Sequence, residues 1–155
     1  MVRGARYLYA ALAWAFVAGV ILQVFFIGLG LFVGRENLAL HVNFGWLLHL
    51  GPLPILLAAA LARAGRRRML QTTALAVLVF FVPILAVLRT DAPLAAAFHP
   101  VGALLAFWLA TVVARGATNL ASTTDAEAST TRGEWVLVGL VVLILLALGL
   151  GGSPA

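Results

Sequence analysis

The chain has no cysteine and no lysine, and only five of its 155 residues are acidic. Without cysteine it can form no disulfide, thiolate nucleophile or iron–sulfur ligand. The five acidic residues lie in loops or flank hydrophobic segments, so no paired carboxylates indicate acid–base hydrolysis. Zinc-binding spacings, catalytic triads and glycine-rich phosphate loops are also missing from the sequence.

Charge of either sign is scarce, and hydrophobic residues dominate. The chain is 10% charged and 64% hydrophobic, whereas a soluble domain has about 25% charged residues. The composition predicts an integral membrane protein in contact with membrane lipid. The net charge of +5 comes entirely from arginine. We interpret it as a sign of membrane topology and expect no nucleic-acid partner.

Four hydrophobic segments reach the roughly 20 residues needed to cross a bilayer, and a fifth is shorter. Short turns between successive spans favour antiparallel neighbours. We predict an all-α integral membrane fold: an antiparallel four-helix bundle over residues 1–115, a flexible linker over 116–133, and a fifth transmembrane helix with a tail over 134–155. The predicted helices are Tyr7–Val33, Leu38–Ala62, Met69–Leu88, Leu94–Ala114 and Trp135–Leu150.

The arginines are distributed unequally between the two ends of these helices. One end carries most of them, and positively charged loops face the cytoplasm. This predicts a multi-pass protein of the inner (plasma) membrane with its N-terminus inside and its C-terminus outside. The arginines of the predicted cytoplasmic end are Arg3, Arg6, Arg63, Arg66, Arg67, Arg68, Arg115 and Arg132.

All three histidines lie inside predicted membrane helices, where a polar, titratable group is costly unless it has a partner. His41 and His99 follow similar stretches, 58 residues apart, in two hairpins of like topology. Each lies roughly 5–8 Å into its helix from the outer surface. Two neutral imidazoles facing each other across a bundle can ligate a heme iron. The alternative is that they only bond to water or to other helices.

Residues near the predicted pair suit a heme. Gly45 and Gly102 lie about one turn deeper and should leave space for a flat macrocycle. Arg35 and Arg89 lie in the two outer turns, where they can pair with heme propionates. These residues and the pair form the predicted cofactor site, with heme b as the cofactor and the two imidazoles as metal ligands.

His49 is predicted to have a different role, because it lies near the middle of its span and about 80° around the helix from His41. Gln23, on helix 1, should lie at a comparable depth, so we expect a Gln23–His49 hydrogen bond. The functional alternative is a quinone or proton site, since titratable groups inside membranes often mark such paths. The sequence Gly51-Pro52-Leu53-Pro54, which follows His49, should kink or break the helix.

The stretch Leu22–Gly30, followed by Ala39-Leu40-His41 and Phe98-His99-Pro100, resembles an uncharacterised family of small bacterial four-helix membrane proteins. The likeness covers roughly Ala10–Arg115. The arrangement is also similar to one half of heme A synthase, which implies heme ligation by the same two histidines. That enzyme family has a catalytic glutamate one turn before its helix-2 histidine, and Leu38 stands there in this chain, so the resemblance does not extend to its oxidation chemistry.

The leading hypothesis is a small cytochrome b-like protein that carries electrons or serves as an accessory subunit of a larger respiratory or photosynthetic complex. Helix 5 is almost uniformly apolar and could dock on such a partner. With loops this short, we do not expect a stand-alone enzyme acting on soluble substrates. Two alternatives remain: a cofactor-free structural or assembly subunit, and a quinone- or lipid-binding module that uses His49 and Gln23.

Overall fold

The computed structural model describes residues 2–123 and Gly139, and its regular elements are all helical. The predicted fifth helix, Trp135–Leu150, lies outside these described residues, as does most of the predicted linker. Besides a 3-10 turn at Arg35–Asn37, the elements are α1 (Val2–Phe32), α2 (Leu38–His49), α3 (Pro52–Leu61), α4 (Arg66–Val87), α5 (Pro93–Ala96) and α6 (His99–Ala121).

These elements form four spans that are long and apolar enough to cross a membrane. Span 1 is Val2–Phe32, span 2 is Arg35–Leu61, span 3 is Arg66–Val87 and span 4 is Pro93–Ala121. At a rise of about 1.5 Å per residue, each exceeds the roughly 30 Å of a hydrocarbon core. Many large apolar side chains remain exposed on the outside of these helices. Over the described residues the predicted all-α fold is confirmed, with four helices that have the length and composition of membrane spans.

Span 2 is interrupted where the proline pattern predicted a break. Pro52 and Pro54 carry no N–H, so the carbonyls of Leu48 and Leu50 lose their usual helical donors. Tighter bonds replace them: Gly51 N–H donates to Leu48 O at 2.9 Å, and Leu53 N–H donates to Leu50 O at 3.1 Å. The chain therefore continues across the membrane as two helices with their backbone groups paired.

Span 4 extends further than the sequence pattern indicated. The predicted helix ended at Ala114 and the predicted linker began at residue 116, but α6 continues to Ala121. Ala117, Leu120 and Ala121 are buried at helical spacing. This apolar stripe is two alanines and one leucine among Thr and Asn, and burying it stabilises two further turns.

Spans 2 and 3 are joined by a tight turn that ends α3. Arg63 adopts the left-handed conformation with φ 53°. Its N–H donates to Ala60 O at 3.0 Å, and Ala64 N–H donates to Ala59 O at 3.0 Å. This pair of bonds is a Schellman motif, formed here with arginine where glycine is usual. We call this end of the molecule the arginine end, and the end with the turns after α1 and α4 the histidine end.

The spans contact one another in cyclic order. Span 1 packs against spans 2 and 4, and span 3 packs against the same two. Spans 2 and 4 therefore face each other diagonally. The buried core lies towards the arginine end, where it includes Tyr9, Phe16, Leu56, Met69 and Val113. At the histidine end, by contrast, neither α2 nor α5 contains a buried residue.

Polar side chains tie the spans together at the arginine end. Thr72 Oγ1 donates to Arg68 O at 2.9 Å. Since that proton is used, Tyr9 OH donates to Thr72 Oγ1 at 2.7 Å, which links spans 1 and 3 through two buried residues. Arg68 Nε donates to Gly116 O at 3.0 Å and links spans 3 and 4. The core is thus closed at one end, opposite the predicted site.

Candidate functional site

The structure brings His41 and His99 together across the diagonal between spans 2 and 4. Their ring centroids are 6.4 Å apart, and the ring planes are inclined at 79°. Both side chains are half-buried. His41 lies on the first turn of α2, and His99 is the first residue of α6. We call these two residues the histidine pair.

Each ring of the histidine pair forms a hydrogen bond to a backbone carbonyl of the preceding span. His41 Nδ1 lies 3.1 Å from Gln23 O on α1, and His99 Nδ1 lies 2.8 Å from Val82 O on α4. A carbonyl oxygen only accepts, so Nδ1 donates in both cases. In the neutral ring the proton is then on Nδ1, and Nε2 carries a lone pair. This is the tautomer that a metal-ligating histidine needs, with its other nitrogen oriented by a carbonyl.

Gln23 and His41 are joined by two reciprocal bonds. In addition to the ring bond, Gln23 Nε2 donates to His41 O at 2.7 Å. The sequence had predicted a Gln23–His49 hydrogen bond; instead, the side chain of Gln23 reaches the carbonyl of His41. The two residues are far apart in the chain but lie at one level of the first hairpin, so the bonds fix the register of α1 against α2.

Gly45 and Gly102 let each hairpin close tightly around its histidine. A Cβ at Gly45 would lie 2.7 Å from Gln23 Nε2, and one at Gly102 would lie 3.0 Å from a methyl group of Val82. We had expected these glycines to leave open space for a macrocycle. The space beside Gly45 is instead filled by the side chain of Gln23, and the space beside Gly102 by the side chain of Val82. The glycines therefore allow the two helices of each hairpin to approach closely.

The same contacts between a carbonyl, a histidine and a glycine occur in both hairpins. In the first, Gln23 supplies both the carbonyl for His41 and the side chain beside Gly45. In the second, Val82 supplies the carbonyl for His99 and the side chain beside Gly102. The sequence had indicated a repeat from the histidines alone. The backbone acceptors could not be predicted, since any residue can provide a carbonyl.

Arg35 and Arg89 lie at the histidine end, in the turns that follow α1 and α4, and both are exposed. Each is therefore on the side of the molecule nearest the histidine pair, as the sequence predicted for the outer turns. A guanidinium group can bind a carboxylate through two parallel hydrogen bonds.

His49 bonds to a carbonyl that a proline has released. Pro83 lies inside α4 and has no N–H for Val79 O, its acceptor in a regular helix. His49 Nδ1 lies 3.3 Å from that oxygen and donates to it. An unpaired carbonyl costs free energy in a membrane, so this bond stabilises the packing of span 2 against span 3. A proline within an apolar helix was the signal that sequence reasoning had not used.

The proline and the histidine are expected to be energetically coupled. His49→Phe should lower the free energy of unfolding by about 1–2 kcal/mol because it leaves Val79 O without a donor. In a Pro83→Ala background the restored N–H at position 83 supplies that donor, so the same change should cost about 1 kcal/mol less. Reversible unfolding of the four proteins in detergent, followed by circular dichroism, measures this difference. An equal loss in both backgrounds would show that His49 does not serve the released carbonyl.

Among residues 2–123, no group of three or more histidine, aspartate or glutamate side chains is placed to hold a bare metal ion. The histidine pair supplies two nitrogen ligands only. An ion bound through these two nitrogens would need further ligands from elsewhere. A heme meets that requirement, because its porphyrin provides four nitrogens.

Nothing among curated proteins or solved structures matches the chain. Residues 23–90 match the model of a family described as Family of unknown function (DUF6220). The matched segment includes Gln23, His41, His49 and Val82, and it ends before His99. The expected likeness to heme A synthase stays a prediction. From the last part of span 1 through spans 2 and 3, the chain is similar to an uncharacterised family.

Proposed function

We propose that this protein is a small membrane cytochrome of the b type, with heme b held between His41 and His99. The observation that carries the proposal is the histidine pair itself. Two half-buried imidazoles on diagonal spans are 6.4 Å apart between centroids, and a carbonyl holds each Nδ1. Each Nε2 is thus left with the lone pair that ligates iron.

The distance between the rings suits an iron between them. A metal–imidazole bond is about 2 Å long, and the ring centroid lies about 1 Å behind the bonding nitrogen. Two such ligands on opposite sides of one ion put their centroids about 6 Å apart, close to the 6.4 Å observed. Ring planes at a large angle, here 79°, are compatible with axial ligation because each ring can rotate about its own metal–nitrogen bond.

The proposed heme would be held without a covalent link to the chain. The chain contains no cysteine, so thioether attachment of heme is excluded. The histidine end also carries exposed apolar side chains, among them Phe32, Leu94 and Phe98, which a flat apolar ring would cover. Arg35 and Arg89 would pair with its propionates at the membrane surface. When bound, heme supplies a one-electron couple, and the histidines set its coordination.

The wider proposal is an antiparallel bundle in the inner membrane, with the arginine end cytoplasmic and the histidine end outside. A heme near the outer face favours electron transfer or a place in a larger respiratory or photosynthetic complex. The segment 134–155, predicted to form a fifth helix, is proposed as the contact with such a partner. Heme A synthase activity is not proposed, since Leu38 stands where that family has its glutamate.

The test is an absorption spectrum of the protein purified after expression with added heme precursor. We expect a Soret band, resolved α and β bands on reduction, and about one heme b per chain by pyridine hemochrome. A purified protein that remains colourless, even after reconstitution with hemin, would contradict the cytochrome proposal. It would favour a cofactor-free structural subunit whose histidines only join helices.

A further inference from the structure

A second histidine site lies deeper in the membrane, at His49. This residue is close to the middle of the span Arg35–Leu61. Its Nδ1 donates to Val79 O, so its Nε2 carries the lone pair of the neutral ring. Within residues 2–123 this Nε2 has no hydrogen-bond partner, and it is not among the polar atoms sealed from the surface. An accessible acceptor is therefore placed at hydrocarbon depth.

Aromatic rings flank the imidazole on two sides. The Trp46 ring lies 5.8 Å from it at 71°, and the Phe80 ring lies 5.0 Å from it at 39°. Phe80 is buried and forms the inner wall. Trp46 is 51% exposed and forms the wall that borders the lipid. Because His49 is half-buried and Trp46 is exposed, a molecule dissolved in the bilayer can approach the imidazole from the Trp46 side.

We propose that His49, Trp46 and Phe80 bind a lipid-soluble hydroquinone. The accessible Nε2 can only accept while Nδ1 donates to Val79 O, so it selects a ligand with a hydrogen-bond donor, such as a hydroxyl group. The aromatic walls select a flat ring, which they contact by edge or by offset stacking. The depth selects a molecule that partitions into hydrocarbon. A hydroquinone with an alkyl tail meets all three conditions.

This geometry discriminates between the two redox forms of such a ligand. A quinone offers only carbonyl acceptors, and an acceptor cannot bond to the lone pair of Nε2. The reduced form should therefore bind more tightly than the oxidised form. The site lies about 12 Å along α2 from His41, and its binding does not depend on whether heme is present. The proposal and the cytochrome proposal can thus fail separately.

Selective ¹⁵N labelling of histidine tests the proposal, because the chain has only three histidines. The protein in lipid nanodiscs is titrated anaerobically with a decyl-substituted hydroquinone, and its dimethyl ether serves as the matched control. We expect the Nε2 signal of His49 to shift with the hydroquinone and not with the ether, while the signals of His41 and His99 stay in place. The His49→Phe variant assigns the signal.

The variant Trp46→Leu keeps the bond to Val79 O and so leaves the fold intact. It should weaken hydroquinone binding by roughly threefold to tenfold, through the lost aromatic contact. The proposal is overturned if hydroquinone and ether shift the His49 signal equally, if neither shifts it at saturation, or if the shift appears at His41 or His99. Equal affinity of Trp46→Leu and the unchanged protein would overturn it as well.

Discussion

Replacing His41 or His99 by alanine is expected to lower the affinity for heme by roughly a hundredfold or more. Each change removes one of the two proposed ligand nitrogens. Helix packing should be retained in both variants, because the buried core lies at the arginine end, away from the histidine pair. The predicted loss is therefore specific to the cofactor.

The measurement is the heme content of purified variants together with their Soret absorbance. His49→Ala is the matched control: it removes an intramembrane imidazole from the same span and should leave the spectrum unchanged. Adding free imidazole to His41→Ala or His99→Ala, where alanine leaves a gap of the right size, should restore six-coordinate absorbance. If either of these two variants kept full heme content without imidazole, the ligand assignment would be wrong.

Much of this architecture could be predicted because the hydrocarbon core of a bilayer permits few backbone structures. Apolar length set the four spans, and the Pro52 and Pro54 pattern set the break in the second. Matching histidines in two hairpins were sufficient to predict that His41 and His99 face each other. In each case the deciding feature is local composition or a simple topological rule, both of which are visible in a single sequence.

The features that could not be predicted depend on which groups meet across spans. The carbonyls that orient the histidine pair belong to Gln23 and Val82, and every residue offers a carbonyl. Depth alone suggested that Gln23 would bond to His49, whereas helix rotation turns its side chain to His41 O. The end of α6 was missed because alanines, which pack closely, contribute little to a hydrophobic pattern.

If the proposed heme is bound, the two ligand positions would be close to equivalent, because a backbone carbonyl holds each imidazole. Each imidazole receives the same second partner, a backbone carbonyl at 2.8–3.1 Å. Such a bond makes the ligand more basic and favours ferric iron. Substituting a ligand of different donor strength on either side should therefore change the reduction potential in the same direction.

His99→Met is expected to retain heme and to raise its reduction potential by on the order of 0.1 V. The thioether is a neutral, soft ligand that stabilises ferrous iron relative to ferric iron, and methionine is flexible enough to fill the volume of the ring. The change also removes the donor to Val82 O, which keeps its helical bond and so remains satisfied. Potentiometric titration followed at the α band measures the shift.

His41→Met should shift the potential in the same direction, since the two positions are related by the hairpin repeat. His49→Met is the control and should leave the potential unchanged, because its ring is joined to Val79 O and lies about 12 Å along α2 from His41. A variant of the histidine pair that kept both its heme and its original potential would mean that the iron is ligated elsewhere. This outcome cannot be confused with misfolding, because a misfolded variant would lose the heme rather than keep its potential.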